Sequence, residues 1–235
     1  MRAIVFDTGP IISLTLNNIL WLLESLHERF NGEFYITPAV YDELIKKPLS
    51  TRKYKFEALQ ILPLIAKGII KIDNSAEIEP KANELLELAN QCFMAHGNYI
   101  KIVHKGEMQT IACALLRGSD TIVVDERTTR ILIENINLLE RYLNKKLHTA
   151  VKIDKEKSKR LKDELKGLKV IRSFELVTVA FEMGLLNLFI LKEEKNIVPD
   201  LRKAVLEGVL WGIKLSGCSV KTDDIYRTIS IEERG

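Results

Sequence analysis

In the stretch Ala3-Ile4-Val5-Phe6-Asp7, four apolar residues lead directly into an aspartate, and this pattern is the strongest indication of the fold. A run of this kind is typical of a buried strand. In open parallel sheets, ligands bind at the carboxyl ends of the strands. An acid is an unusual choice at that end of a buried strand, so Asp7 predicts a site that needs negative charge.

Three further acids occupy comparable places along the chain. Asp125 closes a second apolar run, at residues 121–124, and Glu43 and Glu107 each stand near the start of a helical stretch. Carboxylate oxygens are the ligands that Mg²⁺ and Mn²⁺ prefer in proteins. The four acids therefore predict one oxygen-rich pocket for such an ion. Metal-assisted phosphodiester chemistry is the function that this pocket favours.

Predicted strands and helices alternate along the chain, which is typical of a parallel sheet with crossover helices. We expect an α/β fold, namely a three-layer α/β/α sandwich with a mainly parallel central sheet. The predicted strands are 2–7, 33–37, 69–72, 121–125 and 169–173, and the predicted helices include 17–30, 56–66, 107–117, 128–135 and 199–215. Residues 1–190 should form the main domain, with helical insertions near 79–99 and 136–168. Residues 191–235 should form a helical C-terminal extension that packs on it.

Composition narrows the class of protein further. The chain has 235 residues, of which 46% are apolar and 29% charged, as in a soluble globular protein. No apolar run approaches the roughly 18 residues of a membrane span, and we expect a cytoplasmic protein without a membrane partner. The three cysteines lie far apart and the four histidines share no ligand spacing, so neither a disulfide framework nor a zinc site is predicted.

Positive charge is concentrated in one segment. Residues 145–172 contain eleven Lys or Arg against four acids, although the whole chain carries only +3. A basic segment beside an acidic pocket suits a polyanionic substrate. A solvated helix is the competing interpretation, because Lys155, Lys159 and Lys162 recur at helical spacing beside leucines.

Several of these stretches together resemble the PIN-domain family, whose members are metal-dependent nucleases of the α/β/α type. The resemblance covers roughly residues 2–190. It rests on residues 4–14, 37–43, 105–107, 123–127 with Arg130, and 171–186.

The resemblance implies a role for individual residues. Asp7, Glu43, Glu107 and Asp125 match the metal-binding and catalytic acids of the family, with Mg²⁺ or Mn²⁺ as the cofactor. Thr8, Ser13 and Ser173 match supporting positions, two of them hydroxyls near the first acid and one a small polar residue at the last strand. Glu126 and Arg127 follow Asp125 where many relatives have a further Asp or Asn. The residues that we expect to contact RNA phosphates are Arg127, Arg130, Lys155, Lys159 and Arg160.

The function that follows is a metal-dependent endoribonuclease, with RNA as its partner. RNA rather than DNA is implied by the resemblance alone. Two alternatives stay open. One is an RNA-binding or RNA-processing scaffold subunit that does not cut, and the other is the toxin ribonuclease of a toxin–antitoxin pair, held inactive by a protein partner. The apolar face predicted over residues 201–215 either packs on the domain or forms a homodimer interface.

Overall fold

A computed structural model gives the fold, and it describes residues 2–190, 198 and 200–232. The strands are β1 (Arg2–Phe6), β2 (Gly32–Ile36), β3 (Ile70–Ile72), β4 (Phe93–Ala95), β5 (Asn98–Tyr99), β6 (Thr121–Val123), β7 (Lys152–Ile153) and β8 (Lys169–Ile171).

Helices connect the strands and cover both faces of the main sheet. They are α1 (Thr8–Leu16), α2 (Leu22–Phe30), α3 (Pro38–Tyr41), α4 (Lys47–Ser50), α5 (Lys55–Ala66), α6 (Ile78–Asn90), α7 (Lys105–Leu116), α8 (Arg127–Glu134), α9 (Ile136–Leu147), α10 (Lys155–Glu164), α11 (Ser173–Glu182), α12 (Leu201–Leu215) and α13 (Thr222–Glu232). A π-helical turn (Asp42–Lys46) joins α3 to α4, and a 3₁₀ helix (Leu185–Phe189) follows α11. None of the described helices is both long and apolar enough to cross a membrane.

The central sheet confirms the predicted α/β/α fold. Its five strands are all parallel and lie in the order β3-β2-β1-β6-β8. The chain builds outward from β1 in one direction through β2 and β3, and in the other through β6 and β8. The carboxyl ends of β1 and β6 therefore flank the switch point, where open α/β sheets form their binding crevice.

Alternating side chains of β1 seed two separate hydrophobic cores. Ile4 and Phe6 belong to the core that also contains buried residues of α1, α2, α5, α11, α12 and α13. Val5 points to the opposite face, into the core formed with α6 to α10. This arrangement follows from the two-residue period of a strand, and it explains why β1 has no polar residue between Arg2 and Asp7.

The predicted helix over residues 17–30 is observed only from Leu22, because residues 17–21 lie in the connection between α1 and α2. In this connection Asn18 adopts a left-handed backbone with φ of 57°. Gly9 and Pro10 lie in the first helical turn of α1, where proline lacks only an amide that has no helical acceptor.

The helical insertion predicted near 79–99 is helical only as far as Asn90. The rest forms the β4–β5 hairpin, in which Ala95 pairs with Asn98 around a two-residue turn. Both turn residues, His96 and Gly97, have positive φ, as tight hairpin turns require. Strand β7 pairs with β4 in the same small sheet. The insertion near 136–168 consists of α9 and α10, with β7 between them.

The C-terminal helices pack on the same face of the sheet as α1 and α11. Leu206, Leu210 and Ile213 of α12 are buried there, and α13 packs against α12. The predicted helix over 199–215 is observed from Leu201, whereas Pro199 lies outside the described residues. The division into a domain over 1–190 and an extension over 191–235 stays a prediction.

Candidate active site

Asp7 stands at the centre of the site, directly after β1. Its backbone N–H donates to the carbonyl of Val123 at 2.9 Å, which fixes it at the crevice between β1 and β6. Its carboxylate lies beside the backbone N–H groups of Thr8 and Gly9 in the first turn of α1, which act to lower its pKa. The N-terminus of a helix favours negative charge, so the position suits an aspartate.

Glu43 reaches the site from the π-helical turn. The N–H of Lys47 donates to the carbonyl of Asp42, five residues back, and Pro48 has no N–H with which to restore normal α-helical bonding. The widened turn is a feature often found at functional sites. Thr8, expected as a hydroxyl near Asp7, donates its hydroxyl to Oε2 of Glu43 at 2.8 Å, so these two residues lie together.

Glu107 enters from the first turn of α7. Its Oε2 accepts a hydrogen bond from the backbone N–H of His104 at 2.7 Å, as a capping glutamate does. The same turn approaches Glu43, because a Cβ placed on Gly106 would lie 3.7 Å from Oε1 of Glu43. Two acids thus share the positive end of one helix.

Burial and neighbouring acids raise the pKa values of Asp7 and Glu107. Burial raises the pKa of Asp7 to about 7, and the charges of Glu107 and Glu43 add to the rise, against the hydrogen bonds from Thr8 and Gly9. Burial also raises the pKa of Glu107 to about 7, with additions from Glu126 and Glu43 that the backbone of His104 and the hydroxyl of Thr129 oppose. Ionisation of these carboxylates is therefore unfavourable unless a positive charge lies nearby.

Glu126 is the member of this cluster that the sequence did not single out. It is exposed at the start of α8, and its Oε2 accepts from the backbone N–H of Thr129 at 2.7 Å. Its charge acts on Glu107. We name Asp7, Glu43, Glu107 and Glu126 the acidic cluster. The sequence contains two adjacent acids after β6, Asp125 and Glu126, and the prediction selected Asp125 because it is nearer the strand.

Asp125 has a different environment, although it follows the strand next to Asp7. The residue is 3% exposed. Its Oδ1 accepts from the backbone N–H of Ser173 at 2.8 Å, and its Oδ2 accepts from the hydroxyls of Ser13 at 2.9 Å and Ser173 at 2.7 Å. Its carbonyl accepts from the N–H of Ser219 at 3.0 Å. Ser13, which was expected near Asp7, therefore donates its hydroxyl to Asp125 instead. Ser173, which was expected at the last strand, also donates to Asp125.

The sequence predicts that a metal ion binds at this site. Among the described residues, no group of three or more His, Cys, Asp or Glu side chains is arranged so that it could hold a metal ion. The chemistry of the acidic cluster nevertheless fits a hard cation, since it offers only oxygen donors. The hydroxyl of Thr129 is buried beside Glu107 and makes no hydrogen bond of normal geometry, which leaves a polar atom without a partner in the cluster.

The predicted phosphate contacts fall into two groups. Arg127 and Arg130 lie on α8 just after Glu126; Arg127 stacks 4.5 Å from the ring of Tyr142, and Nε of Arg130 is buried without a partner. Lys155, Lys159 and Arg160 lie on α10. Arg160 pairs there with Glu84 at 3.5 Å. Their contact with RNA stays a prediction.

One comparison with known proteins found a match. The model of a family described as a PIN domain matches residues 3–139 of the chain. The matched range contains Asp7, Glu43, Glu107 and Glu126. No match was found among the curated proteins or among the solved structures.

Proposed function

The chain belongs to the PIN-domain family, and on that premise we propose that it is a divalent-metal-dependent endoribonuclease. PIN domains are generally nucleases and commonly use divalent metals. The observation that carries the proposal is the acidic cluster at the switch point, in which burial and mutual repulsion raise the pKa values of Asp7 and Glu107 to about 7. A bound Mg²⁺ or Mn²⁺ would relieve this repulsion.

The cluster would hold the cation through Asp7, Glu43, Glu107 and Glu126. The chemistry supplied by Mg²⁺ or Mn²⁺ in such a site is charge neutralisation at the phosphate and a lowered pKa of the attacking water. Thr8 orients the carboxylate of Glu43 through its 2.8 Å hydrogen bond. The three glutamates have rotatable side chains now held by single hydrogen bonds, so they can converge when a cation compensates for the lost contacts.

Asp125 has a supporting role in this proposal. Its carboxylate ties α1, through Ser13, to the start of α11, through Ser173. These contacts fix the carboxyl end of β6 and hence the neighbouring Glu126. The sequence motifs alone would place Asp125 among the ligands, and its hydrogen bonds to Ser13 and Ser173 are what favour the positioning role.

Cleavage of a mixed, labelled RNA pool tests the activity. We expect cutting with Mn²⁺, no cutting with EDTA, and no cutting by Glu43→Gln. The matched control is Asp42→Asn, which removes the adjacent acid of the same π-helical turn; Asp42 pairs with Lys46 and not with the cluster. Cleavage that persists in EDTA, or that both substitutions abolish equally, would contradict the proposed site.

A second candidate is an RNA-binding scaffold that does not cut. It is favoured by the lack, among the described side chains, of a preformed group that could hold a metal. Calorimetric titration with Mn²⁺, combined with the cleavage assay, distinguishes the nuclease from the scaffold and shows whether the acidic cluster binds metal at all. Mn²⁺ binding without cleavage of any RNA would favour the scaffold, or the toxin form of the enzyme with its protein partner still bound. An absence of Mn²⁺ binding would reject the acidic cluster as a metal site.

A further inference from the structure

A second basic region begins where the acidic cluster ends. Residues 46–56, Lys-Lys-Pro-Leu-Ser-Thr-Arg-Lys-Tyr-Lys-Phe, contain five cations, and no acid occurs between Glu43 and Glu57. Every residue from Ser50 to Phe56 is exposed. We name residues 46–56 the basic segment.

The cations at the far end of the basic segment are not neutralised. Lys46 pairs with Asp42, and Lys47 lies 3.8 Å from Oε1 of Glu43. Arg52, Lys53 and Lys55 form no ion pair with the described part of the chain. On α10, by contrast, five cations are accompanied by three acids. The basic segment contains five cations and no acid, and it therefore carries the higher net positive charge.

Two aromatic side chains are interleaved with these cations. Tyr54 is 41% exposed and Phe56 is 70% exposed, so both rings present a face to solvent. Nζ of Lys53 lies 4.7 Å from the ring of Tyr54. Aromatic rings beside cations are the combination that binds single-stranded nucleic acid, because bases stack on the rings while the cations contact phosphates.

The backbone of Tyr54 supports a role beyond packing. Tyr54 is the residue before α5 and has φ of 61° and ψ of 18°. A bulky residue rarely adopts this left-handed conformation, which glycine or asparagine would adopt at lower cost. Such strain concentrates at ligand-binding positions. Tyr54 is only partly buried, so packing alone is not a sufficient reason for a tyrosine at this position.

The basic segment is continuous with the acidic cluster. Lys47 directly follows the π-helical turn that carries Glu43, and α5 packs against both that turn and α1, the helix that follows Asp7. Tyr54 follows Lys47 by seven positions, which limits their distance to roughly 25 Å. A single strand of a few nucleotides can therefore contact the rings and enter the cluster.

We propose that the basic segment binds single-stranded RNA and leads it into the acidic cluster, with bases stacked on Tyr54 and Phe56 and phosphates held by Arg52, Lys53 and Lys55. The inference rests on the proposed function in that the bound strand is the substrate. A protein partner is disfavoured as the occupant because three unneutralised cations surround the two rings. The exposed surface is thus mostly charged and only locally apolar.

Fluorescence anisotropy of a labelled, unpaired 12-nucleotide RNA in EDTA tests the inference without any cleavage. The ring variant is Tyr54→Asn with Phe56→Ala, where asparagine tolerates the left-handed backbone. The charge variant is Arg52→Gln, Lys53→Gln and Lys55→Gln. We expect each to weaken binding by roughly tenfold or more. The charge variant should also lower the slope of log affinity against log salt by about 2.

The matched control removes three cations at the opposite edge of the sheet. Arg2→Gln, Lys67→Gln and Lys169→Gln replace exposed residues at the amino ends of β1, β3 and β8. Two of these form only surface ion pairs, with Glu24 and Asp120, so their loss should cost little stability. Thermal melting of every variant shows whether it is folded. The control should bind RNA with the affinity of the unmodified protein.

Each result decides the inference separately from the enzyme. Weaker binding by both segment variants with an unchanged control supports it. Unchanged binding by the ring variant, an equal loss in the control, or equal affinity for a 12-base-pair RNA duplex overturns it. An unmodified protein that does not bind the single strand also overturns it, even if Mn²⁺-dependent cleavage is found. Strong binding without cleavage supports the segment and rejects the nuclease.

Discussion

Asp7 and Asp125 follow adjacent parallel strands, yet the protein surrounds them in opposite ways. Asp7 is partly buried among other acids, and burial raises its pKa to about 7. Asp125 is almost fully buried and accepts three hydrogen bonds from Ser13 and Ser173. A functional acid can therefore lie at the end of a strand, but the hydrogen-bond donors around its carboxylate determine whether it is available to a ligand or stabilises the fold.

Removing the carboxylate of Asp125 is expected to give the largest loss of stability. Asp125→Ala leaves the N–H of Ser173 and two buried hydroxyls without their acceptor, which should cost about 3 kcal/mol of unfolding free energy. Urea denaturation at pH 7 measures it. Asp7→Ala, the matched change one strand away, should cost far less, since it removes a carboxylate that others repel. A larger loss for Asp7→Ala would reverse the comparison.

The pH dependence of stability should report the raised pKa values in the acidic cluster. Asp7 and Glu107 have folded-state pKa values of about 7, above the usual values of 3.8 and 4.5. Between about pH 4 and 7 the folded metal-free protein therefore binds more protons than the unfolded chain, so its stability falls as pH rises through that range. The expected loss between pH 5 and 7 is on the order of 2 kcal/mol for each of the two carboxyls.

Denaturation at several pH values in EDTA measures this slope. Asp7→Asn should flatten it, because one of the two raised carboxyls is gone. Glu33, whose pKa Lys71 lowers, acts with the opposite sign and below about pH 4.5, so it lies outside the range. Stability that increases from pH 5 to 7 would contradict the description of the acidic cluster.

Affinity for Mn²⁺ should separate the two aspartates next. Asp7→Asn is expected to weaken Mn²⁺ binding by at least about tenfold, because it removes a charged oxygen ligand. Asp125→Asn should keep the affinity within a few-fold, provided that the variant is folded. Glu126→Gln should resemble Asp7→Asn. Isothermal titration calorimetry measures all three, and a strong loss in Asp125→Asn alone would return that residue to the set of ligands.

The smallest expected effects concern the hydroxyls at the two sites. Ser173→Ala removes a hydrogen bond to a buried carboxylate and should cost about 1 kcal/mol of stability. Thr8→Val removes a hydrogen bond to the exposed Glu43 and should cost less than about 0.5 kcal/mol. Thermal melting compares the two variants. Equal costs would show that Asp125 is no more dependent on its donors than the acidic cluster is.

Sequence reasoning was most successful where the pattern is local. Four apolar residues before Asp7 were enough to predict β1, and the alternation of strands and helices predicted the parallel sheet. The helix predicted over 17–30 began too early, because Leu20 shares the helical period of the leucines in α2, whereas the left-handed Asn18 belongs to the connection that precedes α2. The β4–β5 hairpin was missed because its strands are only three and two residues long.

The site was harder to predict than the sheet. Asp7, Glu43 and Glu107 were placed together in sequence and in structure, and the contact between Thr8 and Glu43 joins them. Glu126 was not singled out, because it is the N-cap of α8, and an acid at that position has no local pattern that separates a metal ligand from a capping residue. The basic segment was missed for another reason, since exposure of Tyr54 and lack of acid partners are properties of the folded surface.

The strands of the central sheet and the acids near their carboxyl ends can be predicted from the sequence, because hydrophobic period and strand ends are local properties of the chain. Which acids repel one another, and which accept hydrogen bonds, depends on tertiary packing. Ser13 and Ser173 lie 112 and 48 residues from Asp125. No local pattern can report such donors, because they meet the carboxylate only when α1 and α11 pack beside β6.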